Sequence, residues 1–212
     1  MDTFKLKNVT TQYRTFLVLA TFSIALLCAR VVVTHSIFYL FMAWNLVLAF
    51  SPLVACVLVS RARSGRWFCI SLVAWLLLLP NSPYVLTDFI HLRKDNSVPV
   101  WFDVLLLVSF SASALLPGLA SMKIVFRTLS ERAGIFVSWL FMGTISLLCG
   151  LGIYIGRFLR YNSWDVLRRP IGILTDIFNV ITGDGTREAI GVTIGFGCFM
   201  FLLFNLYYTP EK

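Results

Sequence analysis

Charge is scarce in this chain: Lys and Arg number 18 and Asp and Glu 10 among 212 residues, 13% together, with 2 histidines. A soluble domain carries about 25% charged residues, so this composition excludes a water-soluble globule. Signatures of several enzyme classes are also missing. There is no H-E-x-x-H, no G-x-S-x-G and no glycine-rich phosphate loop, which removes the zinc protease, serine hydrolase and P-loop readings. Gly183-Asp184-Gly185 is a lone turn. The cysteines Cys28, Cys56, Cys69, Cys149 and Cys198 show neither paired nor metal-type spacing, and they read as small apolar residues within apolar spans.

Apolar residues make up 58% of the chain. Six stretches, approximately residues 16–34, 36–59, 67–91, 101–122, 134–156 and 188–208, each come near the roughly 20 residues that ~30 Å of hydrocarbon requires. The expected fold class is an all-α integral membrane protein with six transmembrane helices in one bundle, a single helical domain over residues 1–212, because the connections are too short to separate domains. The basic start followed by an apolar run mimics a signal peptide, but the run continues through Val31-Val32-Val33 without a small-residue cleavage pattern, so it reads as a retained first span.

The net charge of +8 does not point to nucleic acid, because the basic residues flank spans. Lys5, Lys7 and Arg14 precede the first, Arg61, Arg63 and Arg66 follow the second, and Lys123, Arg127 and Arg132 follow the fourth. An even number of spans separates these clusters, so they share one side, and the positive-inside rule makes that side the cytoplasm, with both termini there. The opposite side carries Arg93, Lys94, Arg157, Arg160, Arg168, Arg169 and Arg187 against Asp88, Asp95, Asp103, Asp165, Asp176, Asp184 and Glu188. Short outer loops rich in arginine oppose the positive-inside bias and call for compensation by acidic partners, lipid phosphate or an anionic ligand.

Two outer stretches stand out. In the first, Pro80 and Pro83 interrupt the third span about 20 Å from its start at about 1.5 Å per residue. They are expected to unwind about a turn, with Ser82 as N-cap and Pro83 at the first position of a resumed helix. In that helix Tyr84, Thr87, Asp88 and His91 would form one polar stripe at i, i+3, i+4, i+7. A broken backbone at membrane depth persists where it is packed in protein or lines a watered cavity; the plainer alternative is a proline kink with Asn81 bonding the freed carbonyls. In the second stretch, Gly156-Arg157-Phe158-Leu159-Arg160-Tyr161-Asn162-Ser163-Trp164-Asp165, a continuing helix would align Arg157, Arg160, Tyr161 and Trp164, whereas Asn162 capping a new helix with Asp165 at its third position would make a capping box. After Pro170, residues 170–181 read as an amphipathic helix in the interface, with Ile171, Leu174, Ile177, Phe178 and Ile181 on one face and Thr175, Asp176 and Asn179 off it.

Elsewhere, Arg30 near the outer end of the first span reads as a snorkelling anchor. Asn45 is expected to bond a neighbouring helix and Pro52 to kink the second span. Asp103, one turn inside the fourth span, needs a partner such as His91 or an arginine. Ser109, Ser111 and Ser113, and Gly143, Gly150, Gly152 and Gly156, suit close helix contact, and Pro117-Gly118 a bend.

These motifs resemble a family of bacterial multi-spanning proteins catalogued as domain of unknown function 1361. Its pattern is Pro-Asn-x-Pro-Tyr, then Thr-Asp and His-Leu, an aromatic-Asp pair at the next span, then Gly-Arg-Phe-x-Arg and Asn-Ser-Trp-Asp. The matching residues are Pro80, Asn81, Pro83, Tyr84, Thr87, Asp88, His91, Leu92, Phe102, Asp103, Gly156, Arg157, Phe158, Arg160, Asn162, Ser163, Trp164 and Asp165, over roughly residues 35–205. Tyr161 stands where the pattern has Trp. The resemblance implies a membrane protein, placed here in a bacterial cell (inner) membrane, and supplies no activity.

The expected substrate-binding set is Asn81, Tyr84, Asp88, His91, Asp103, Arg157, Arg160, Asn162, Trp164 and Asp165, built from the outer ends of spans three, four and five. Arg157 and Arg160 could clamp a phosphate or carboxylate, or could pair with Asp165 and Asp103. Asp88-x-x-His91 with Asp103 and Asp165 has metal-ligand chemistry but a weak spacing, so no metal and no cofactor is assigned. Asp88 orienting His91 as a general base, with Asp103, makes the candidate catalytic set, without an obvious nucleophile. The leading expectation is a site that binds, and in a stronger form processes, an anionic lipid or lipid-linked substrate; membrane lipids are the partners. The rivals are an accessory subunit whose polar motifs pair with one another and a small-solute transporter gated at the proline break.

Overall fold

The computed structural model describes residues 3–92, 98–183 and 185–208. Outside the described residues lie Asp2, Arg93, Lys94, Asp95, Asp184, Thr209, Pro210, Glu211 and Lys212, and also the side chains of Lys5, Lys7 and Ile181. The described chain is all-helical. Helix α1 covers Thr3–Thr34, α2 Phe41–Ala49, α3 Ser51–Arg61, α4 Gly65–Leu78, α5 Asn81–Tyr84, α6 Val100–Ala133, α7 Ile135–Arg157, α8 Asp165–Arg168, α9 Pro170–Thr182 and α10 Thr186–Tyr207; a 3-10 helix runs over Val85–His91. Among the described residues, six segments are long and apolar enough to cross a membrane: Gln12–Thr34, Phe38–Arg61, Gly65–His91, Val100–Ala133, Ile135–Arg157 and Thr186–Tyr207.

Helix α6 is the axis of the bundle. Its most apolar window is 67% buried, against 17% to 39% in the other five, and α1, α3 and α7 all pack on it. Two apolar clusters result. At the end flanked by the basic residues, Trp75, Met122, Phe126, Met142 and Phe204 meet; at the opposite end, Tyr39, Met42, Leu106, Leu107 and Phe110 do. Pro117 does not end α6, which runs on to Ala133. Gly118 serves a close contact: a Cβ there would stand 2.6 Å from Ser82 Cβ.

The proline break also departs from expectation. Leu79 (φ −56, ψ −40) and Pro80 (φ −59, ψ −22) keep right-handed helical backbone, since the fixed φ of proline lies in the helical range. No turn is unwound. Ser82 is not an N-cap and Pro83 does not open a helix; both are buried within α5. The segment is confined: a Cβ on Gly152 would lie 2.4 Å from Pro80 Cγ, and one on Gly156 3.3 Å from the Tyr84 ring. A splayed loop has no room between α6 and α7.

Carbonyls left open at the break in the second span find hydroxyls. The second span breaks at Phe50, with Pro52 in the first turn of α3, so Leu48 O loses its helical donor. Ser51 Oγ donates to Leu48 O at 2.6 Å, and Ser82 Oγ donates to Ala49 O at 2.9 Å. Asn81 Nδ2 reaches Ser51 Oγ at 3.5 Å. The two interrupted spans are therefore stitched break to break, which satisfies backbone groups that hydrocarbon could not.

Small residues hold the remaining contacts. Gly150 and Gly197 bring α7 and α10 together, since Cβ atoms there would meet Thr193 O and Leu147 Cα at 2.2 and 2.9 Å. Gly143 meets only Phe201 Cε2, at 4.0 Å, and is not part of that seam. Ser113 bonds Ser23 of α1 at 2.9 Å. The cysteines are free, Cys56 and Cys149 buried but Cys28, Cys69 and Cys198 exposed, so three of them lie outside the core.

Candidate functional site

The site begins with the winding of Val85–His91. An α-helix would place Tyr84, Thr87, Asp88 and His91 on one stripe, but a 3-10 helix repeats every three residues. The stripe therefore splits into Tyr84 with Thr87 and Asp88 with His91. Asp88 is buried, and Tyr84 and His91 line a cavity of about 760 Å³.

This cavity is bounded by α2, the α4–α5 break, the second half of α7 and the chain just beyond it. Its wall has two chemistries. Asn81, Tyr84, His91, Arg157, Arg160 and Asn162 line one part; Leu48, Leu76, Leu77, Leu148 and Leu151 line the other. Leu148 and Arg157 stand on the same helix, nine residues apart in sequence, which is about 13 Å along its axis.

Arg157 is the last residue of α7, where the helix dipole favours a cation. Its Nη1 bonds Asp88 Oδ1 at 3.2 Å, its Nη2 donates to Thr87 O at 3.1 Å, and the same Nη2 stands 3.1 Å from His91 Nε2. The guanidinium lies 5.8 Å from the Tyr84 ring centroid. Asp88, with no exposed side-chain surface, takes a second bond on Oδ2 from Asn45 Nδ2 at 3.0 Å. A guanidinium only donates, so in this contact His91 Nε2 is the acceptor. The imidazole is flanked edge-on by Phe38 and Phe41, centroids at 5.8 and 5.3 Å, and Tyr39 Oη donates to His91 O at 2.9 Å.

Arg160 behaves differently. The continuing-helix arrangement is not found, because α7 stops and Arg160 takes φ +60, a left-handed conformation that costs a non-glycine residue roughly 1–2 kcal/mol. Tyr161 N–H closes the helix end on Ile155 O at 3.2 Å. Arg160 is exposed and makes no ion pair among the described residues. The capping box is met in one half only: Asp165 Oδ2 accepts from Asn162 N at 2.7 Å and from its Nδ2 at 3.4 Å, but α8 opens at Asp165 with Trp164 before it and no side-chain cap bond, so Asn162 caps no helix.

Several expected members lie elsewhere. Asp103 is buried away from the cavity and bonds Arg30, Nε to Oδ1 at 2.7 Å and Nη2 to Oδ2 at 3.3 Å. Its partner is an arginine, as expected of a buried acid. Arg30 is the correction: it is 1% exposed with its guanidinium 4.3 Å from the Tyr39 ring centroid, because the α1–α6 contact offers it a carboxylate where snorkelling would leave Asp103 uncompensated. Trp164 is exposed and, like Asp165, outside the cavity wall. The pairing of Arg157 and Arg160 with Asp165 and Asp103 does not occur; Arg157 pairs with Asp88. Arg157 also stands between Asp88 and His91, bonded to both, so the carboxylate–imidazole orientation required of a base pair is replaced by a bridge. Among the described residues no group of three or more His, Cys, Asp or Glu could hold a metal ion. Asn45 was legible only as a helix-bonding residue, and its amide is what completes Asp88.

Helix α9 leans on this region. Tyr161 Oη donates to Asp176 Oδ2 at 2.8 Å, and that bond, which holds the phenol proton, raises the Tyr161 pKa above its usual value. Ile171, Leu174 and Phe178 point outward, 78%, 66% and 64% exposed.

A family model described as "Protein of unknown function (DUF1361)" matches residues 44–203. The chain belongs to this family. Both halves of the cavity wall, from Trp44 to Val166, fall inside the matched stretch of this DUF1361 protein. Neither a curated protein nor a solved structure matches the chain.

Proposed function

We propose that the cavity of this DUF1361 protein binds an anionic lipid or lipid-linked substrate, headgroup against Arg160, Tyr84, Asn81 and Asn162, chain against the leucines of α3's neighbour α2, of α4 and of α7. The observation that carries this reading is the two-part wall: a cationic, hydrogen-bonding portion and an apolar portion, with Leu148 about 13 Å along α7 from Arg157, in segments long enough to cross a membrane. Such a wall matches an amphiphile. Guanidinium groups suit phosphate and carboxylate oxygens. The basic clusters at the opposite end support an outer-face location in a bacterial inner membrane, with both termini cytoplasmic.

Binding is supported better than chemistry, since His91 Nε2 is occupied by Arg157. A small-solute transporter is disfavoured because the Trp75, Met122, Phe126, Met142 and Phe204 cluster fills the bundle at the other end. The accessory-subunit reading draws on one specific observation, the complete pairing of Asp88 with Arg157 and of Asp103 with Arg30.

Native mass spectrometry of gently extracted protein tests the proposal. The wild-type chain is expected to retain an anionic lipid that Arg160→Gly loses. Equal retention by both, or none by either, overturns the lipid reading and favours the structural one. Glycine keeps the left-handed backbone at this position, so a loss of lipid is not a loss of fold.

A further inference from the structure

The two arginines of the cavity are not equivalent. Arg157 is neutralised before any ligand arrives: Asp88 holds it at 3.2 Å, and its remaining contacts go to Thr87 O and His91 Nε2. Arg160 is exposed, carries the left-handed backbone and has no ion pair among the described residues. Strained backbone of this kind gathers at ligand clamps.

The charges surrounding the headgroup end can be set against each other. The charged side chains on the cavity wall are Arg157 and Arg160, and Arg157 is bonded to Asp88 behind it. Asp165 folds back onto Asn162; Asp176 accepts from Tyr161. Among the described residues one positive charge is left in excess, and Arg160 is the cation on the cavity wall without a counter-ion. At the margin of a low-dielectric region an uncompensated charge of either sign is costly. A ligand with one negative charge closes the balance, whereas a doubly charged headgroup reverses it.

We infer that the ligand presents a singly charged headgroup, a phosphodiester or a carboxylate, in preference to a phosphomonoester or diphosphate. This rests on the anionic-amphiphile reading above. Arg160 is its counter-ion, and Arg157 is a positioning residue that holds Tyr84 and His91 at the cavity wall.

The test uses the full chain in mixed micelles with dioleoylphosphatidylglycerol, oleate or dioleoylphosphatidate, at pH 8. That is about two units above the second ionisation of a phosphomonoester, near 6, so phosphatidate is doubly charged. Retention is read by native mass spectrometry with the lipids in competition. One of the two singly charged lipids is expected to outcompete phosphatidate about tenfold, a difference of about 1.4 kcal/mol, and which one does so identifies the headgroup. Asp165→Asn adds one positive charge while keeping a side-chain acceptor for Asn162, and it is expected to move the preference toward phosphatidate. Phosphatidate bound as tightly as the singly charged lipids by the wild-type chain, or an unchanged preference in Asp165→Asn, overturns the charge inference and leaves the lipid site standing. Retention of none of the three lipids overturns the lipid site itself, and the inference with it.

Discussion

The Asp88–Arg157 pair makes an asymmetric prediction. Asp88 has 0% side-chain exposure and Arg157 17%, so the two ions do not cost the same when left alone. Replacing Arg157 by Met keeps most of the side-chain volume but strands a fully buried carboxylate whose one remaining partner is the Asn45 amide. Removing one partner of a buried pair in this way costs about 3–5 kcal/mol. Replacing Asp88 by Asn strands the arginine instead. That guanidinium is partly exposed and keeps Thr87 O and His91 Nε2, so the loss is nearer the ~1–3 kcal/mol of an impaired buried hydrogen bond. Removing both charges together should recover stability, because paired buried ions gain little over neutral groups of similar volume. The expected order, from least to most stable, is Arg157→Met, then Asp88→Asn, with the double variant above Arg157→Met. Equilibrium unfolding in mixed micelles with increasing SDS, followed by circular dichroism, reads that order from the midpoints. If Asp88→Asn proves the more damaging, or the double variant falls to the sum of the singles, the pair is not buried and asymmetric as described.

Two further perturbations report on the break itself. Gly152→Ala places a Cβ 2.4 Å from Pro80 Cγ and should destabilise by about 1–3 kcal/mol through overpacking, whereas Gly191→Ala, whose Cβ meets nothing within 4 Å, should be tolerated in the same unfolding assay. Ser82→Ala removes the donor to Ala49 O and should cost about 1–3 kcal/mol, the penalty of a buried polar group left unsatisfied; a neutral result would mean that the two breaks are not stitched together.

Much of this architecture was written along the chain. The six apolar runs and the Asn162–Asp165 contact are local patterns, each read from periodicity or from side chains three residues apart. Pro80 and Pro83 marked the right place but suggested the wrong conformation. Proline disfavours a helical residue before it only by steric preference, and the confinement of α5 by Gly118 and Gly152 outweighs that preference. The resulting 3-10 winding then decided which polar residues reach the cavity, separating Asp88 from Tyr84. Arg30 and Asp103 were each noticed, but 73 residues separate them, and only the α1–α6 contact makes them a pair.

Composition and pattern by themselves determined that this is a helical, membrane-type chain with its polar residues concentrated between spans three and six, because hydrocarbon imposes length and apolarity on each span separately. Tertiary structure alone decided which charges meet. Asp88 went to Arg157 and Asn45, Asp103 went to Arg30, and Arg160 was left on the cavity wall. The physical reason is range: span formation is a local demand of the solvent on consecutive residues, whereas ion pairing in a low-dielectric bundle depends on distances between helices that packing of small residues sets.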